Sequence, residues 1–282
     1  MNDHVTFLLK MVSTGVLVGL MSLLLMACEK GGMEKTETFI SIKDIPQEQW
    51  DRLARKKIYF GHQSVGYNIV DGLVDLLREY PDIRLNIVET HDAADFNVAL
   101  FAHSKIGRNV EPESKIDQFA EFVESGIGEV ADLAFFKFCY IDVASEDDVG
   151  TLFTVYKNRL ESLRIKYPQT AFIHVTMPLT VVQTGPKKWI KTLIGRPVGG
   201  YAENIKRNQF NDLLREEYLG REPVFDLALI ESTTGSGMRS IFESHGGFYY
   251  SLNPEFTHDG GHLNARGRRI VAEQLLIFLA NT

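Results

Sequence analysis

The feature that most restricts this chain is a regular change of hydrophobic period between residues 57 and 280. Short apolar runs, each cut off by glycine or proline, alternate with longer stretches repeating at about 3.6 residues. KIYF at 57–60 reads as a strand, and 65–80 puts Ile69, Val70, Leu73, Val74, Leu76 and Leu77 on one helical face before Pro81. Residues 83–88 alternate at period two, 115–124 are helical, and the nearly all-apolar 132–143 reads as a strand covered on both faces. The helix at 151–167, strands at 171–176 and 224–230, and helices at 205–218 and 267–280 complete the pattern. Such alternation implies βαβ crossovers, hence a three-layer α/β/α sandwich on a five-stranded parallel sheet.

The amino-terminal region has a different character. Residues 11–27 form an uncharged apolar run, and Leu25-Met26-Ala27-Cys28 is followed by a polar, glycine-containing stretch. An apolar core ended by a small residue and a cysteine resembles the lipobox of bacterial lipoproteins. That resemblance implies a signal peptide over 1–27, lipidation at Cys28, a tether over 28–45, and a domain over 46–282 held outside the cytoplasm at a membrane. An uncleaved anchor or a plain signal peptide would place the domain on the same side. Cys139, in an apolar run, reads as a small buried hydrophobe. The net charge of −7 offers no general attraction for nucleic acid, and no nucleic-acid partner is expected.

Two stretches carry chemistry. In a parallel sheet, ligands gather at the carboxyl ends of the strands, and the first such end reads Gly61-His62-Gln63-Ser64-Val65-Gly66. Ser64 at a helix N-terminus would meet unpaired amides and the positive end of the helix dipole, which suits a nucleophile whose product is an oxyanion. The same position suits a plain N-cap. Near the other terminus, Asp259-Gly260-Gly261-His262 sets a carboxylate three residues before an imidazole. Such a pair can form a base with a fixed tautomer. A metal site using His258 and His262 is disfavoured by the two glycines, which argue against the helix that spacing needs. A glycine-rich surface loop is the remaining alternative.

A serine after strand one and Asp-x-x-His before the last helix, on this frame, resemble the SGNH (GDSL-like) hydrolase superfamily. The likeness is strongest in DGGHLNARGRRIVAEQLL. It implies a flavodoxin-like fold and ester hydrolysis by Ser64, His262 and Asp259 without metal or cofactor. It also implies an oxyanion hole from the Ser64 amide, Gly107 and Asn109. The family's Gly-x-Asn-Asp block after the third strand is missing; Phe138-Cys139-Tyr140-Ile141-Asp142 stands there, which leaves Asn109, Asn97, Gln63 or a side chain near Tyr140 to supply the third donor. The expected substrate is a small-molecule or glycan O-acyl ester. An O-acyltransferase with the same residues, or an inactive binding lipoprotein, are the alternatives.

Residues 178–204 form a long connection with Trp189, Tyr201 and several lysines. It is expected to overhang the site as a lid or sugar-stacking wall, against a plain surface insertion or a lysine contact with anionic lipid. His245 to Tyr250 could line the pocket, and Asp226 is expected to be structural.

Overall fold

The computed structural model describes residues 38–282, so the signal peptide and the lipidation expected at Cys28 lie outside the described residues. In chain order the main elements begin with α1 (Gln47–Leu53), β1 (Lys57–His62), α2 (Val65–Glu79), β2 (Ile87–Glu89), β3 (Leu100–Lys105) and α3 (Pro112–Phe122). There follow β4 (Leu133–Phe136), α4 (Val149–Lys166), β5 (Ala171–Val175), α5 (Gly185–Leu193), α6 (Tyr201–Tyr218) and β6 (Val224–Phe225). The chain ends with α7 (Leu227–Ser232), a hairpin of β7 (Ile241–Ser244) and β8 (Gly247–Tyr250), and α8 (Ala265–Asn281).

The main sheet has six strands, in the order β2-β3-β1-β4-β5-β6, and every pair in it is parallel. The sequence reading of five strands is corrected here. The extra one is β3, whose His103-Ser104-Lys105 ending looks polar in sequence. In the fold His103 and Ser104 are buried. Each has a partner on β1: Tyr59 Oη to Ser104 Oγ at 2.8 Å and His62 Nε2 to His103 Nδ1 at 3.0 Å. A strand can hide polar groups when its neighbour satisfies them. With β3 in place, β3-β1-β4-β5-β6 is the flavodoxin-like order, and β2 is an added edge. Three expected strands are shortened: 83–88 gives way to β2, 132–143 keeps only β4, and 224–230 keeps only β6 before Asp226 accepts the Leu229 N–H and starts α7.

Helices cover both faces. On one side α2, α7 and α8 join Phe60, Phe101, Phe135 and Ile173 in an apolar cluster; on the other α3, α4 and α6 pack against Tyr59, Ala102, Phe136 and Phe172. Successive strand residues point to opposite faces, so the apolar runs supply both layers. Ile42, from the expected tether, is buried in the first cluster, and its N–H donates to Glu273 of α8 at 2.9 Å.

Candidate functional site

The sequence 61–66 folds as a strand ending abruptly in a helix, and Ser64 takes the bend. Its backbone sits at φ 54° and ψ −112°, a conformation that non-glycine residues seldom adopt. Holding a side chain there costs about 1–3 kcal/mol, and such strain gathers at functional sites. Ser64 is the N-cap of α2 by position, yet its side chain makes no capping bond. Its Oγ lies 2.6 Å from Nε2 of His262 instead. The structural reading of Ser64, a hydroxyl spent on its own helix, is therefore set aside by geometry.

The imidazole is fixed from its far side. His262 Nδ1 is 2.6 Å from Asp259 Oδ2. The other carboxylate oxygen accepts the amides of Gly261 at 3.0 Å and His262 at 2.8 Å, with the Thr257 hydroxyl at 3.2 Å. These amide bonds, the Gly261 one foremost, together with His262, hold the Asp259 carboxyl well below its ordinary range. The carboxylate thus stays charged and accepts the Nδ1 proton, leaving Nε2 free to accept one from Ser64. Each glycine of the loop has its own task. Gly260 takes φ +94°, while a Cβ on Gly261 would stand 2.6 Å from the Tyr140 ring.

Elements on either side keep the two halves in register. Asn68, one turn after Ser64 on α2, accepts the Leu263 N–H at 3.2 Å with its Oδ1. Below Ser64, the Gln63 side-chain amide donates to the carbonyls of Ile106 at 2.6 Å and Gly107 at 2.5 Å. His62 is fully buried, and burial aided by the nearby Lys137 charge holds its imidazole neutral, with a pKa pushed down to about 2.

The expected oxyanion donors divide. The Ser64 amide lies at the front of α2, where the next amides of Gly66 and Tyr67 already donate to the Gln63 and Ser64 carbonyls at 3.0 and 2.9 Å. The Gly107 amide donates to Gln118 Oε1 at 2.6 Å, and Asn109 accepts from Lys115 Nζ at 3.1 Å. A donor role for Gly107 would require it to give up that bond, whereas the lysine engages only Oδ1 of Asn109 and not its Nδ2 donor. Of the other candidates, the Gln63 amide is committed to the two carbonyls named above, and no contact places Asn97 near Ser64.

Where the Gly-x-Asn-Asp block is missing, a buried polar network stands. Lys137 is wholly buried and donates from Nζ to the Phe138 carbonyl at 3.0 Å, with Cys139 Sγ at 3.7 Å. Burial pushes the Lys137 pKa down. Asp142 accepts the Cys139 amide at 2.6 Å and pairs with buried Lys115 at 2.5 Å. The Cys139 thiol lies 3.6 Å from the Gln63 carbonyl. Sequence reasoning missed Lys137, whose signal was a lysine inside an apolar run. It also missed Asn68 and the direct contact of Tyr140 with His262. The Tyr140 hydroxyl is 3.4 Å from His262 Nδ1, and its ring meets the imidazole edge-on at 5.5 Å between centroids.

The long connection after β5 also departs from expectation. Tyr201 is buried at 9% exposure with its ring 4.4 Å from Phe242, so it is no part of a sugar-stacking wall, whereas Trp189 is open to solvent. Asp226 bonds the Arg215 guanidinium at 2.8 Å, as a structural residue would.

Comparison with known proteins returns structures rather than sequences. No protein-family model matches the chain, and no curated protein does. Among solved structures it is similar to a GDSL-like lipase from Bacteroides thetaiotaomicron, at 13% identity over 82% of this chain and 90% of that one, with a TM-score of 0.49. It is also similar to a psychrotrophic esterase from Pseudoalteromonas, at 10% identity over 80% and 97% of the two chains and a TM-score of 0.45. A third is the periplasmic domain of a lipopolysaccharide acetyltransferase from Salmonella ser. Paratyphi A, at 10% identity, 78% and 82% coverage and a TM-score of 0.43.

Proposed function

We propose that this chain is a divergent serine esterase of the SGNH type, which cleaves O-acyl esters, glycan O-acyl groups among them, through an acyl-enzyme. One observation carries the reading: Ser64 Oγ stands 2.6 Å from His262 Nε2 while making no bond to the helix it begins. As His262 Nε2 accepts the hydroxyl proton, Oγ bonds to the ester carbonyl carbon and the carbonyl π pair moves onto oxygen. When that oxyanion collapses, the bond to the alkoxy group breaks and the proton passes from Nε2 to the departing alcohol. Water then repeats the cycle on the acyl-serine, releasing a carboxylic acid and restoring Ser64. Asp259 keeps the imidazole in the productive tautomer and stabilises its charged form. Neither cofactor nor metal enters this scheme. The Ser64 amide, with the dipole of the fifteen-residue helix α2 behind it, supplies charge stabilisation for the oxyanion. The apolar run 11–27 followed by Cys28 supports a lipid-anchored, extracytoplasmic setting for this chemistry.

A fluorophosphonate probe tests the reading. It should label the native chain and leave Ser64→Ala unlabelled, with hydrolysis of an activated acetyl ester falling about a millionfold in kcat, as for removal of a nucleophile elsewhere. Equal labelling of both proteins, or a folded native chain that neither labels nor hydrolyses, would refute it. Product analysis with and without sugar acceptors separates hydrolysis from acyl transfer.

A further inference from the structure

Helix α5 stands the wrong way round for a soluble protein. Its residues separate cleanly by helical angle, with Trp189, Ile190, Leu193 and the following Ile194 on one arc and Lys187, Lys188 and Lys191 on the other. In an ordinary surface helix the apolar arc faces the core. Here no residue of α5 is buried, and Trp189, Ile190, Leu193 and Ile194 are 68%, 51%, 71% and 56% exposed. Lys188 and Lys191 are half-buried on the protein side instead, and Lys188 Nζ lies 5.4 Å from the centre of the Tyr201 ring. The helix is held out in this orientation by a bonded stalk. Gln183 N–H donates to the Gly199 carbonyl at 3.0 Å, and Val181 N–H donates to the Gly260 carbonyl at 2.9 Å. The second bond roots the stalk in the loop that carries Asp259 and His262.

Charge identifies what the apolar face meets. Residues 178–202 hold Lys187, Lys188, Lys191 and Arg196 and no aspartate or glutamate, in a chain whose net charge is −7. Among the described residues these four cations form no ion pair. A second copy is a poor occupant, because a two-fold contact sets this patch against itself and opposes like charges. A bilayer bearing anionic headgroups satisfies both halves: tryptophan and branched aliphatic side chains enter the headgroup–acyl boundary, and the exposed Lys187 and Arg196 reach the phosphates. We infer that α5 is an interfacial docking helix that seats the protein on an anionic phospholipid surface with the Ser64–His262 site beside the membrane. The inference does not depend on the anchor at Cys28 or on catalysis.

Trp189 itself reports on this. The chain has two tryptophans, and Trp50 is 4% exposed, so the difference between the native chain and Trp189→Phe isolates Trp189 fluorescence. The full chain is added to vesicles of phosphatidylcholine alone or mixed with phosphatidylglycerol, with and without bromine-labelled acyl chains. The expected result is a shift of Trp189 emission to shorter wavelength and quenching by the brominated lipid, both stronger with phosphatidylglycerol and both lost in Leu193→Glu. Monitoring Trp189 rather than sedimentation keeps binding through residues 11–27 from counting as support. Emission that stays solvent-like on both vesicles overturns the inference. So does emission already shielded without lipid, emission that changes only with protein concentration, or emission that answers to a polysaccharide and not to vesicles. Ser64→Ala should dock like the native chain, and fluorophosphonate labelling should survive in Leu193→Glu, so failure here and failure of the esterase reading are separately visible.

Discussion

At the scale of single residues, the site turns on Asp259. Its carboxylate bonds His262 Nδ1 and also receives the two amides that shape the loop. Asp259→Asn should preserve most of the loop bonding, because the amide oxygen can still accept, while its NH2 cannot accept from Nδ1. With an analogous substitution costing about ten-thousandfold in kcat, we expect a fall of that order, unchanged fluorophosphonate specificity for Ser64, and a thermal midpoint within a few degrees of native. A variant retaining a tenth of native activity would remove Asp259 from the proposed mechanism. That Ser64, Asp259 and His262 meet was legible in the sequence, from a serine at a strand end and an Asp-x-x-His before the last helix. Tyr140 and Lys137 were not. Their roles come from proximity across the fold, Tyr140 to an imidazole 122 positions away and Lys137 to neighbours hidden with it, and no local pattern announces that.

At the scale of elements, the distance between Ser64 and His262 is set by two helices. Ser64 opens α2 and His262 lies three residues before the start of α8, so the packing of α2 on α8 places one relative to the other. The two are drawn together by Arg268 with Asp75 and by Arg269 with Glu79. They come into close contact at Gly72, where a Cβ would stand 2.5 Å from the Arg268 carbonyl oxygen and 2.8 Å from Ala272 Cβ. Backbone cannot give way as a side chain tip can. Gly72→Ala should therefore push the helices apart, at a cost of about 1–3 kcal/mol typical of overpacking, partly offset by the better helix propensity of alanine. Displacing the partners by even about 1 Å can cost about a hundredfold in rate, so activity should drop more than stability does. Urea denaturation beside kcat checks this; equal stability and activity to native would show that the helix contact does not govern the site. The long helices were readable from period alone. Strand β3 was not, since Ser104 and His103 break the apolar run and only their bonds to β1 explain why they are inside.

At the scale of the whole molecule, buried ionisable groups give stability a definite shape against pH. His62, His103 and His174 are buried and each is pushed below the ordinary 6.5, chiefly by burial. A depressed imidazole stabilises the fold fully above 6.5, and that stability is lost as pH falls, because the unfolded chain then takes protons the folded one refuses. Glu231 has the opposite sense. Burial raises its carboxyl from 4.5 to about 8 despite the Leu179 amide and the charges of Lys137 and Arg207, so the folded chain holds a proton that the unfolded chain has released. Its contribution is complete below 4.5 and is lost as pH rises to about 8. Below 6.5 the depressed histidines make stability climb with pH, His62 throughout the window from 4.5, and Glu231 opposes them there. Each net proton is worth about 1.4 kcal/mol per pH unit. Lys137 is also depressed by burial, from 10.5, in the same sense as the histidines, and Glu231 is therefore best read by difference. Glu231→Gln keeps an oxygen for the Leu179 amide and cannot ionise. Its urea midpoint should match native near pH 4.5, rise above it steadily as the pH increases, and level off beyond about 8. A gap between the two proteins that stays constant from acid to alkali would mean that Glu231 does not carry its proton into the fold.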